Sequence, residues 1–195
     1  MQLNAILLSL FAAAASAAPT GSSCPAPERK FGIMALRSAS PIHFAPASAS
    51  QGKLGFNFPA SKIDAQCTDG KTRTDAIFTI KDGELYLYGK DQVQQIYVDR
   101  SGMGQGVLGY FNKGVENPPR NGELKGWAVD SEDNLTFSGT TLQACPGADN
   151  AWHIWLSGVS KPAGAEGCLG FTARVVTKSD AVQCTYSTFN AGTAA

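Results

Sequence analysis

The side chains best equipped for chemistry are five cysteines, two histidines and sixteen carboxylates. Thiols can ligate zinc, attack as nucleophiles or oxidise to disulfides, and spacing separates these uses. Cys24, Cys67, Cys145, Cys168 and Cys184 include no Cys-x-x-Cys pair, and His43 and His153 stand far apart, so a tetrahedral zinc site has no support. Gly102-Met103-Gly104-Gln105-Gly106 invites comparison with a phosphate cradle, but no Gly-Lys-Ser/Thr follows and no helix start is visible, so it reads as a turn. Asp99 and Ser101 have no histidine nearby in sequence and Gly-x-Ser-x-Gly is absent, which argues against a serine hydrolase. Glycoside hydrolysis needs two convergent carboxyls. The sequence singles out no such pair, because acids such as Asp69, Asp82, Glu132, Asp133 and Asp149 fall beside turn formers, where carboxylates are solvated. No catalytic residue, metal ligand or cofactor site is therefore expected, and a hydrolase is the remotest reading.

What must position these residues is an exported chain. Ala5-Ile6-Leu7-Leu8-Ser9-Leu10-Phe11-Ala12 opens an apolar run ending in Ala15-Ser16-Ala17-Ala18, the pattern of a secretory signal with cleavage after Ala17. Residues 1–17 are thus read as the signal. Residues 18–29 carry three prolines among small polar residues and read as a flexible leader, leaving 30–195 as one β domain. No later apolar run approaches the ~20 residues that cross a bilayer, so no membrane partner is expected. Sixteen acidic residues balance sixteen basic ones without runs of like charge, which gives no basis for nucleic-acid binding. The product should be secreted and, apart from disulfide cross-links, monomeric. An oxidising destination makes two disulfides and one leftover thiol the simplest use of five cysteines, and each choice of four allows three connectivities.

Short alternating apolar segments broken by Gly, Pro, Asn, Asp and Ser predict an all-β, antiparallel, disulfide-stapled fold. Phe78-x-Ile80 and Leu85-x-Leu87 flank Asp82-Gly83, whose positive-φ preference suits a tight hairpin, and Trp127-x-Val129 and Leu135-x-Phe137 form a second hairpin. Segments beginning at Phe31, Phe78 and Trp127 are almost evenly spaced, which hints at three units. A β-trefoil-like barrel and a β-sandwich both accommodate the strands.

Alternation also places candidate sites. It throws Asn134 and Thr136 of the sequon Asn134-Leu135-Thr136 outward, making Asn134 the N-glycosylation candidate. Tyr86 and Tyr88 lie opposite Leu85 and Leu87, and Trp155 alternates away from Trp152 and Ile154, so these rings are candidates for stacking on sugars. The competing reading buries both faces of these strands.

Phe31-Gly32-Ile33-Met34-Ala35-Leu36-Arg37-Ser38, Asp82-Gly83-Glu84-Leu85-Tyr86-Leu87-Tyr88 and Val98-Asp99-Arg100-Ser101-Gly102-Met103-Gly104-Gln105-Gly106 occur in an order that resembles the fungal PhiA cell wall proteins. The likeness continues through Gly126-Trp127-Ala128-Val129-Asp130-Ser131, Ala144-Cys145-Pro146 and Trp152-His153-Ile154-Trp155 to Cys184-Thr185-Tyr186. It implies a secreted structural or protective wall protein, needed for normal phialide and conidium development and linked to stress resistance, with wall polysaccharide or wall proteins as partners. The stretch from Trp127 to Phe137 is also similar to a hairpin in the C-terminal domain of Pir wall proteins, where Cys67, Cys145, Cys168 and Cys184 would supply the four cysteines. If those four pair among themselves, Cys24 is a free thiol able to cross-link to wall neighbours. The alternative is that Cys24 staples the leader to the domain. A wall-bound carbohydrate-binding module for glucan or chitin is the runner-up function.

Overall fold

A computed structural model describes residues 28–188. The signal, most of the leader and Cys24 lie outside the described residues. Fifteen strands are present: β1 (Lys30–Leu36), β2 (Ser48–Ser50), β3 (Lys53–Phe56), β4 (Gln66–Cys67), β5 (Phe78–Lys81), β6 (Glu84–Leu87), β7 (Gln94–Asp99), β8 (Val107–Asn112), β9 (Gly122–Glu123), β10 (Trp127–Val129), β11 (Leu135–Phe137), β12 (Leu142–Pro146), β13 (Trp152–Leu156), β14 (Leu169–Thr177) and β15 (Cys184–Thr185). Among the described residues there is no α-helix.

The local chemistry of the hairpins explains their form. Asp82 and Gly83 sit at φ 52° and 76°, and Lys81 pairs with Glu84, giving the two-residue turn whose twist matches its strands. The β10–β11 loop is closed instead by Asp130, whose Oδ1 accepts the N–H groups of Glu132 (2.9 Å) and Asn134 (2.8 Å). The apolar sides of both hairpins turn inward, with Phe78, Leu85, Leu87, Trp127, Leu135 and Phe137 all buried.

Eleven strands form one antiparallel sheet in the order β2-β3-β8-β13-β12-β14-β1-β5-β6-β7-β9. Because β7 also pairs with β8 from Gln94↔Asn112 to Asp99↔Val107, the ladder returns on itself and neither strand offers a long bare edge. The circuit β8-β13-β12-β14-β1-β5-β6-β7 closes through the β7–β8 pairing around a single core. Phe56 meets Phe171 edge-on at 5.1 Å and Trp127 meets Phe137 at 5.0 Å. Full burial of each such side chain contributes roughly 1.5–3 kcal/mol.

The even spacing of Phe31, Phe78 and Trp127 does not mark three equivalent units. β1 runs six residue pairs along β14, β5 is half of a hairpin inside the large sheet, and β10 pairs only with β11. Their common spacing reflects similar strand-and-turn lengths, while long-range pairing gives each a different partner. Two disulfides complete the fold: Cys67–Cys184 joins β4 to β15, and Cys145–Cys168 joins β12 to the residue before β14.

Candidate functional site

The surface that gathers polar and aromatic side chains is the outer face of β5, β6, β7 and β8. Directly opposed residues of antiparallel strands share a face. Lys30↔Thr79, Thr79↔Tyr86, Tyr86↔Gln95 and Gln95↔Phe111 therefore form one row across five strands. Tyr88 stands two residues beyond Tyr86 on that face. Both tyrosines line an open groove of about 520 Å³, with Thr79, Lys81, Lys90 and Gln183 also contributing. A second hollow of about 450 Å³ shares Lys90, Gln92 and Gln183 with it and passes Cys67, Gln66, Thr68 and Thr185. The two adjoin through Lys90, Gln92 and Gln183 and make a trough of amides, hydroxyls and tyrosines edged by Glu28, Lys81, Asp91 and Lys113, with Cys67 of the Cys67–Cys184 bridge in its wall.

Neither ring is bare. The Lys113 ammonium lies 5.2 Å from the centre of the Tyr86 ring and donates to its hydroxyl at 3.0 Å, while the Tyr86 hydroxyl donates to the Glu84 carboxylate. This hydrogen bond, together with Lys113, holds the Glu84 carboxyl below its usual range, and burial raises the Tyr86 phenol. Lys30 Nζ sits 4.7 Å from the Tyr88 ring centre. Each tyrosine is half-buried, so the reading that these rings project freely holds only in part. Trp155, also half-buried, lies on β13 opposite Val107 and Gln143, with β7 and β8 between it and β6. The structure thus unites Tyr86 and Tyr88 and leaves Trp155 outside their groove.

Asn134 does not project freely either. Its Nδ2 donates to Asp130 Oδ2 at 3.3 Å, its Oδ1 is buried, and its backbone bridges to Arg174, because the β10–β11 loop docks on β14 through Val175 N–H to Asp133 C=O. Alternation alone put this side chain outward, and docking of the loop covers it in part. Thr136 is likewise half-buried.

Residues 99–106 form a tightly tied turn. Asp99 Oδ1 accepts the Ser101 N–H (2.9 Å), Ser101 Oγ accepts the Gly104 N–H (3.1 Å), and the Asp99 carbonyl accepts the Gly106 N–H (2.7 Å). Gln105 Oε1 then accepts the Ala163 N–H at 2.7 Å, pinning a distant loop. Gly104 is required there because a Cβ would overlap the side chain and carbonyl of Asp99. The N–H groups of Ser101, Gly104, Gln105 and Gly106 are used internally and are not offered outward as in a phosphate cradle.

Sequence reasoning missed Gln94 and Gln95, both fully buried at the head of β7. Two adjacent polar residues at the start of a strand read as exposed. The only signal available was their position before the alternating Ile96-x-Val98 segment.

Together, sheet, disulfides and trough define a disulfide-stapled all-β protein with a polar-aromatic surface groove. The chain belongs to the PhiA-like secreted proteins, whose family model matches residues 31–187. It is 42% identical over 178 residues to the cell wall protein phiA of Emericella nidulans, covering 90% of this chain and 96% of that one. It is 41% identical over 191 residues to the cell wall protein phiA of Aspergillus fumigatus, covering 96% and 100%, and 40% identical over 184 residues to that of Aspergillus niger, covering 93% and 98%. No solved structure matches the chain. The protein is accordingly a secreted cell wall protein. Among the described residues no helix is long and apolar enough to cross a membrane.

Proposed function

We propose that this wall protein is a non-catalytic structural and protective constituent of the walls of spore-bearing cells, acting in phialide and conidium development and in stress resistance. The observation that carries the reading is the roughly 40% identity, over nearly the full length of both partners, to proteins named as cell wall protein phiA. Asp69, Glu84, Glu123 and Asp130 are held low by donors beside them, chiefly Arg73, Tyr86, Arg100 and the Asn134 N–H, which suits carboxylates that stay charged and fix neighbouring structure. Deletion of the coding sequence in the source fungus tests the role: fewer conidia, malformed phialides and weaker survival of oxidative or heat stress are expected. Normal conidiation in the deletion strain would overturn it.

The trough favours a second, compatible reading in which the protein is retained by polysaccharide. Amides and hydroxyls supply hydrogen bonds, and tyrosines supply apolar faces for sugar rings. Retention on insoluble β-glucan and chitin should fall when Tyr86 or Tyr88 is changed to alanine and stay unchanged for Trp155→Ala. Equal retention of all three variants and the wild type would remove this reading. Retention by wall proteins through Cys24 is the rival. Extraction of walls with hot detergent, with and without reductant, separates the two, because release by detergent alone is incompatible with a disulfide link.

In the same reading the mature domain starts near residue 30 after the leader, and Asn134 carries an N-glycan attached before its hairpin docks. An endoglycosidase-sensitive mass loss that disappears in Asn134→Gln checks the glycan.

A further inference from the structure

Lys53, Gly55 and His153 lie on one face of the sheet, because His153 pairs with Gly55 across β13 and β3 and Lys53 stands two residues before Gly55. The segment after β3 crosses this face. Phe58 lies directly over Gly55, where a Cβ would come within 2.6 Å of its ring, and the 3₁₀ turn Ala60–Lys62 follows. Between the sheet and the crossing segment is a hollow of about 80 Å³ lined by Ser50, Gln51, Lys53, Phe58, Lys62 and His153.

The walls of this hollow are fixed, and its charge is not balanced. The His153 ring rests beside Phe58, 5.7 Å between centroids, and against Gly147, where a Cβ would come within 2.8 Å of the imidazole. Ser50 Oγ donates to the Lys62 carbonyl and so ties β2 to the turn that carries the second lysine. Asp64 is engaged by the hydroxyls of Ser50 and Ser187. Asp149 Oδ2 lies 3.4 Å from Lys62 Nζ, but the two side chains are 62% and 43% exposed, and such pairs are weak. Lys53 has no ion-pair partner among the described residues. Burial first, then Lys53 and Lys62, hold the His153 imidazole below its ordinary range, with no carboxylate offsetting them.

Two lysines lining one small hollow repel each other and attract an anion. A neutral sugar would leave that repulsion in place, and a carboxylate would offset one charge of the two. A phosphate group carries about −1.5 to −2 charge at pH 7 and three strong acceptor oxygens. Lysines bind it as point charges, without the planar fork that a bidentate pair needs. We infer that this hollow is a binding site for one phosphate dianion, free or as a monoester, held between the Lys53 ammonium from the sheet and the Lys62 ammonium from the turn above it. Phe58 and the neutral His153 ring form its walls. With about 80 Å³ against about 520 Å³ for the tyrosine trough, it admits the phosphate group of an ester and leaves the rest of the molecule outside. The site shares no lining residue with the trough and does not depend on the polysaccharide reading.

The test titrates inorganic phosphate into the full mature protein and follows the imidazole C–H signals of its two histidines by NMR. His153 should shift saturably, and its pKa should rise in the bound state because the added negative charge offsets the two lysines. His43, outside the hollow, should show no such shift. Lys53→Met and Lys62→Met keep the apolar stems of exposed side chains, so each should fold like the wild type while losing at least about tenfold in phosphate affinity. Without phosphate, both variants should raise the His153 pKa. Asp149→Asn, which removes a competing anion, should bind phosphate at least as tightly as the wild type. Acetate should bind at least about tenfold more weakly than phosphate. Glucose 6-phosphate separates the sources: affinity like that of phosphate assigns the site to an ester-borne group, and binding of the free ion alone assigns it to inorganic phosphate, each in support of the site. The proposal is overturned if His153 shows no saturable shift, if both histidines shift alike, if either lysine variant binds like the wild type, or if acetate binds as well as phosphate.

Discussion

The two ends of β7 treat polar groups in opposite ways. At its C-terminal end, Asp99 enters a turn in which Ser101, Gly104, Gln105 and Gly106 use one another's donors and acceptors and tether residue 163. At its N-terminal end the neighbouring tyrosine trough keeps amides and hydroxyls at the surface, and the strand is tied by Gln94 to Tyr186, next to the Cys67–Cys184 bridge. The glycine-rich Asp99–Gly106 peptide is therefore architecture, while the surface suited to a ligand is built from residues of ordinary type. One end is fixed by local hydrogen bonds and the other by long-range ties, and this contrast can be broken experimentally.

The largest effect should come from the long-range tie. Cys67 and Cys184 are 117 residues apart and Cys145 and Cys168 are 23 apart. If restriction of the unfolded chain dominates, replacing both members of the first pair by alanine costs about 5 kcal/mol and of the second about 3 kcal/mol. Urea unfolding midpoints measure the difference. A larger cost for the shorter loop would show that native packing around Cys145, which is 1% exposed, outweighs chain entropy.

Next in size is a test of the local end. Gly104→Ala forces a Cβ into Asp99 and should destabilise by about 1–3 kcal/mol, whereas Gly102→Ala, which meets nothing within 4 Å, should stay within about 0.5 kcal/mol. Equal thermal midpoints for the two variants would refute the picture of a fully tied turn.

The contrast also shows what sequence could and could not reveal. Hairpins were legible because their information is local: alternation assigned Phe78, Leu85, Leu87, Trp127, Leu135 and Phe137 to the core, and Asp82-Gly83 specified its turn. The pairing of β1 with β14 and of β7 with β8 was not, because nothing in a strand names its partner across more than a hundred residues or across a glycine-rich loop. Cysteine connectivity fell with it, since it follows from which strands meet. Tyr86 and Tyr88 were placed on the correct face by period two, yet Lys113 and Lys30, which cover their rings, arrive from other strands. Gln95 was invisible for the same reason, because its burial depends on β6, β8 and the loop after β8 converging on it.

The smallest effect discriminates the two ends by pH. Each has one surface ion pair, Arg100 with Glu123 beside the turn and Lys113 with Glu84 beside the trough, and exposed pairs contribute only about 0.2–1 kcal/mol. Both carboxyls have folded pKa values below the ordinary 4.5, Glu123 through Arg100 and Glu84 through Tyr86 first. A lowered folded pKa means that the unfolded chain binds protons more readily, so each contribution is complete above about pH 4.5 and is lost as pH falls through the folded value. Glu84→Gln and Glu123→Gln should therefore lower stability slightly at pH 7 and flatten its decline below pH 4.5. Salt should divide them. The Arg100–Glu123 pair is side-chain to side-chain and about two-fifths exposed on each partner, so its effect should fade in 1 M salt. Glu84 is more enclosed and its first stabiliser is the uncharged Tyr86 hydroxyl, so its effect should persist. Equal salt sensitivity of the two variants would mean that the tyrosine does not govern Glu84, and the trough would then be as electrostatically ordinary as the rest of the surface.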